Sequence, residues 1–159
     1  MQITEIDQEV TDYDWFAIDK QGSIGHFSSN GGILPNSIST SAEDLESVVD
    51  YFTSLKERTG HKLAPNFSYP QEIKGTEQKA KFLSSFANYS DCGLYSFDRI
   101  EPNYRRDLEK QDYSAITQPN KPLLITQVPE SIQTILNRTV CNCDFSTNTV
   151  IKLGQVQNF

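Results

Sequence analysis

Asp14, Asp19 and His26 lie close together near the start of the chain. A carboxylate beside an imidazole orients the ring and raises its pKa, which is where general acid–base chemistry begins. The spacing constrains the idea. Asp14 and Asp19 are five positions apart and should point to opposite faces of a regular strand. Asp19 also opens Lys20-Gln21-Gly22-Ser23, where it reads as a turn residue. A small hydrolase or transferase with a pocket near Asp19 and His26 is therefore one function class to carry forward.

Other groups offer less. Cys141 and Cys143 flank Asn142, so in a strand their thiols share a side. A tetrahedral zinc site needs four ligands, or three and water. The remaining imidazole, His61, and His26 sit at no zinc-site spacing, so no metal and no cofactor is expected. Cys92, Cys141 and Cys143 read as buried, inert thiols. Their odd count points to a reducing compartment. Asn30-Gly31-Gly32 lacks the lysine and spacing of a phosphate loop and reads as a turn, or as a place where a ligand meets the backbone. Arg99, Tyr104, Arg105 and Arg106 could bind an anion, but Glu101, Asp107 and Glu109 beside them make a mixed solvated face the simpler reading. No nucleophile elbow of the G-x-S-x-G type is present.

Charge is the strongest asymmetry. The chain carries −7 overall, yet residues 1–50 hold ten acids against the single base Lys20, a balance of −9. The remainder carries +2. Such a surface repels a nucleic-acid backbone and attracts a basic protein, chiefly by raising the association rate. The plainer alternative is that acidity serves solubility. If the first third forms one face, the candidate partner-binding residues are Asp12, Asp14, Trp15, Asp19, Glu43, Glu46 and Asp50. Trp15 would be an aromatic anchor among acids. Its neighbour Phe16 must face the other way, and a sheet buried on both faces would hide both rings.

The elements that position these residues follow from pattern. A chain of 159 residues suits one domain, 1–159. No apolar run is long enough for a membrane span, and residues 1–7 lack the basic and apolar parts of an export signal, so no membrane partner and a cytoplasmic location are expected. Residues 13–19 and 24–29 read as a β-hairpin about Gly22. Thr40 or Ser41 caps a helix whose stripe is Leu45, Val48, Val49, Phe52 and Leu55. A second helix starts near Thr76 and buries Phe82, Leu83, Phe86 and Tyr89. A third follows Pro129, with Ile132, Ile135 and Leu136 inward. Residues 94–98, 113–116, 139–145 and 149–153 read as strands, 61–75 as an irregular connection, and the start through Val10 fits no element clearly. The order β-β-α-α-β-β-α-β-β predicts an α+β fold, a mostly antiparallel sheet with about three helices.

The run Tyr13-Asp14-Trp15-Phe16-Ala17-Ile18-Asp19, with Gly22, Ile24, His26-Phe27 and Gly31-Gly32, resembles the opening of a group of small stand-alone bacterial proteins. Gly93-Leu94-Tyr95, Pro122-Leu123-Leu124 and Val128-Pro129-Glu130 resemble its second half. Some members resemble immunity proteins that accompany polymorphic toxins. The resemblance implies no catalytic residues. It implies stoichiometric surface binding that neutralises a basic partner, set beside the hydrolase or transferase reading and a ligand-binding scaffold.

Overall fold

The computed structural model describes residues 1–100 and 111–158. Tyr104, Arg105 and Arg106 lie outside the described residues. In chain order the elements are α1 (Glu5–Val10), β1 (Asp14–Ile18), β2 (Ile24–Ser28), α2 (Asn36–Ser39), α3 (Ala42–Ser54), β3 (His61–Leu63), α4 (Gly75–Asp91), β4 (Tyr95–Arg99), β5 (Asp112–Pro119), α5 (Glu130–Leu136), β6 (Thr139–Cys141), β7 (Val150–Lys152) and β8 (Val156–Asn158).

The fold is α+β, but among the described residues the sheet is mixed and is accompanied by five helices, which corrects the mostly antiparallel sheet with about three helices. The strand order is β3-β5-β4-β2-β1-β6-β8, with β7 also on β5. The hairpin β1–β2 is antiparallel, pairing Asp14 with Ser28 and Phe16 with His26. Its two outer neighbours run parallel to it: β4 beside β2, and β6 beside β1. The reason is topological. Between β2 and β4 the chain passes through α3 and α4, and this helical crossover carries it back to the opposite end of the sheet, so that β4 starts beside the start of β2. A reading built from hairpins cannot show this.

Strand alternation sorts the sheet into two faces. Phe16 and His26 face the helices, packing on Phe52 of α3 and on Phe86 and Tyr89 of α4. Trp15, Phe27, Phe97 and Tyr113 occupy the other face. Phe145, from the segment after β6, closes over Phe27 and Phe97. Gly25 sits beneath that ring, and a Cβ there would fall 2.8 Å from Phe145. Both faces are therefore apolar and covered. Among the described residues, no helix is long and apolar enough to cross a membrane.

Candidate functional site: the acidic face around the N-terminal segment

The hairpin turn is built by Asp19. Its Oδ1 accepts from the backbone N–H groups of Gln21 and Ser23, both at 2.9 Å, and Gly22 takes a φ of +80° that favours glycine. Its Oδ2 accepts from the N–H of Phe145 at 2.9 Å, tying the turn to the far face. Asp19 is 3% exposed.

Asp14 begins the same strand on the helical face. The Nε2–H of His26 donates to its Oδ1 at 2.8 Å, and the Tyr89 hydroxyl donates to Oδ2 at 3.0 Å. Burial pushes the Asp14 carboxyl up. The bond and positive character of His26, with the Tyr89 bond, outweigh that and hold it below the usual aspartate range. Beyond His26 the polar series continues inward. Nδ1 lies 3.2 Å from Ser96 Oγ, which donates to the Phe86 carbonyl, and the Ser90 hydroxyl links on to Thr117 at 2.7 Å. Ser96, His26 and Asp14 thus lie in a serine–imidazole–carboxylate order. Ser96 and His26 are fully buried, so the series ties sheet to helix, and it meets solvent at Asp14, whose side chain is 35% exposed.

Above Asp14 lies α3. Ser41 caps it by accepting from the N–H of Asp44 at 3.1 Å. Leu45, Val48 and Phe52 turn inward, which leaves Glu43, Glu46 and Asp50 outward and exposed. Glu43 contacts the Met1 amino group, and Asp44 pairs with Arg138. The N-terminal segment runs alongside. Ile3 is anchored by its N–H to the Ser39 carbonyl, and Thr4 and Asp7 form a reciprocal cap on α1. Two depressions flank Ile3. One, of about 240 Å³, is lined by Tyr13, Asp14, Ala42, Leu45, Glu46 and Val49. The other, of about 340 Å³, includes Glu5, Gln8, Glu9 and the Gly31-Gly32 loop in its wall. On α1, Ile6 and Val10 are exposed apolar residues one turn apart.

The seven proposed partner-binding residues therefore divide. Asp12, Glu43, Glu46 and Asp50 are exposed, and Asp14 is partly so. Trp15 and Asp19 are not on the surface, which corrects the expectation for both. Trp15 is fully buried, stacked on Phe27 at 4.3 Å with its Nε1–H donating to the Tyr113 hydroxyl at 3.2 Å, because both faces of the sheet are covered. Asp19 is consumed by three backbone donors. The pocket expected near Asp19 and His26 is corrected too. Asp19 and His26 lie on opposite sides of the sheet, and the partner of His26 is Asp14. Asp12 accepts from the Ser28 hydroxyl and the Asn30 N–H, and its negative charge adds to burial in pushing the neighbouring Asp98 carboxyl up to about 6.

Arg99 is buried and donates to the Asn30 carbonyl at 3.2 Å. All three cysteines are free and buried. A hydrogen bond to Cys143, reinforced by burial, pushes the Cys141 thiol up. Among the described residues, no three His, Cys, Asp or Glu side chains gather as metal ligands would.

Sequence reasoning missed Glu5, Glu9 and the groove walls Ile3 and Tyr13. The signal was present in Thr4-x-x-Asp7, a helix-start pattern that would have placed α1 and its acids. Comparison with protein-family models, curated proteins and solved structures finds no match for this chain.

Proposed function

We propose that this protein is a non-catalytic binding protein, immunity-like in action, that neutralises a basic protein partner by covering it with its acidic face. One observation carries the reading. Four acids of the first third line the two depressions beside the N-terminal segment, with Glu5 and Glu9 on one side of Ile3, and Asp14 and Glu46 on the other. Glu43 and Asp50 extend the face along α3. Exposed Ile6 and Val10 add apolar contact area amid the charge. Clustered charge of one sign steers an oppositely charged protein into contact and speeds encounter.

Tagged protein captures its partner, which mass spectrometry identifies, and the association rate of the purified pair is then measured across salt. The expected result is a rate that falls steeply from low salt to about 0.5 M, where the screening length drops to a few ångströms. Glu46→Lys combined with Asp50→Lys should slow association further. A rate indifferent to salt, or a captured partner that binds both variants unchanged, overturns the proposal.

A further inference from the structure

We propose that the groove between β1 and α3 seats one arginine side chain of the basic partner. The inference rests on the acidic-face reading and names what that face grips. The groove's walls fix the occupant's chemistry. Ile3, Leu45 and Val49 offer apolar surface to an aliphatic stem, while Asp14 and Glu46 call for a cation at its tip. A volume of about 240 Å³ admits a long side chain but not a folded element. An apolar residue would shield Asp14 and Glu46 from water without offering them a donor, and an anion would be repelled.

Arginine fits better than lysine for two reasons. Tyr13 lines the same groove, and a planar guanidinium stacks on an aromatic ring where an ammonium does not. Asp14 is also already fixed. His26 holds one oxygen and Tyr89 the other, so the carboxylate is oriented before any partner arrives. A carboxylate accepts about four hydrogen bonds, so acceptor capacity remains on each oxygen for a forked donor. Preorganisation of this kind lowers the ordering cost of binding.

The test uses tetra-arginine and tetra-lysine peptides as probes, titrated at matched low salt into isotopically labelled protein and read by amide chemical shifts. Tetra-arginine should perturb Ile3, Asp14 and residues 45–49 most, and bind more tightly than tetra-lysine. Glu46→Gln should weaken it roughly threefold to fivefold, the scale of one exposed ion pair. Ala42→Phe, which fills the groove and leaves every charge in place, should weaken it at least as much. Glu77→Gln, an exposed acid on α4, should not. Perturbations spread evenly over the acidic surface, no effect of Ala42→Phe, or equal affinity for the two peptides overturns the seat while leaving the acidic face standing. No binding of either peptide at low salt defeats both.

Discussion

The imidazole of His26 lies against the ring of Tyr89, with centroids 4.0 Å apart and planes 25° from parallel, and both side chains end on the carboxylate of Asp14. One residue from each of three elements, β1, β2 and α4, thus meets at one acid. The arrangement makes Asp14 a structural keystone as well as part of the surface. Burial, reinforced by the Asp14 charge, pushes the Tyr89 hydroxyl well above its ordinary range, so it stays a proton donor at any physiological pH.

Tyr89→Phe should therefore cost about 1.5–2 kcal/mol, the lower part of the range for a hydrogen bond to a charged acceptor, because the site is only partly buried. In an Asp14→Ala background the same change should cost nearly nothing, because the acceptor is gone. A double-mutant cycle by urea unfolding reads this coupling directly. Additive costs would show that the bond does not stabilise the fold.

Asp19 makes a separate claim. Asp19→Ala leaves the N–H groups of Gln21, Ser23 and Phe145 without their acceptor. An unsatisfied buried donor costs about 1–3 kcal/mol, so a loss of roughly 3 kcal/mol in total is expected. Hydrogen exchange should quicken at Ser23 and Phe145 together, since one side chain holds both. Accelerated exchange at the turn alone would separate the two ties.

The hairpin and α3 were legible because their signals are local. An aspartate-to-glycine turn and a serine cap with an apolar stripe act within a few residues, and the structure bears both out at Gly22 and Ser41. What was not legible was set by distant parts of the chain. Residues 139–145 and 149–153 read as successive strands with nothing to show their partners, and in the fold β6 pairs with β1 and β8 while β7 pairs with β5. Likewise β3, three residues inside a proline-containing connection, exists because β5 offers it an edge. Trp15 packs against Tyr113, far away in sequence. Asp14 and Asp19 were correctly placed on opposite faces by spacing alone. Which of them His26 would meet followed from the strand register.

Asp98 predicts a pH dependence. Burial, with the nearby Asp12 charge, pushes its carboxyl up to about 6, whereas an unfolded aspartate titrates near 3.9. Between those values the folded state binds the extra proton. Stability from this group is thus fully present below about pH 4 and is lost as pH rises through about 6. Asp98→Asn should match the parent at pH 4 and exceed it at pH 7.5, by on the order of 2–3 kcal/mol. Urea midpoints at the two pH values check this. A gap of equal size at both would place the Asp98 titration in the ordinary aspartate range.

Trp15 and Glu46 both stand in the acidic first third, but the structure assigns them opposite kinds of effect. Trp15 is sealed between Phe27 and Tyr113, so Trp15→Ala should cost about 3–5 kcal/mol and lower the unfolding midpoint sharply. Whatever partner binding it loses should be recovered when affinity is corrected for the fraction folded. Glu46 is exposed, and Glu46→Lys should leave the unfolding midpoint within about 0.5 kcal/mol of the parent. Its loss of association should persist in fully folded protein and shrink as salt is added. Thermal unfolding and association kinetics on the same two variants distinguish these outcomes. If Glu46→Lys lowered binding only in proportion to lost stability, charge on α3 would be acting through the fold and not through contact with a partner.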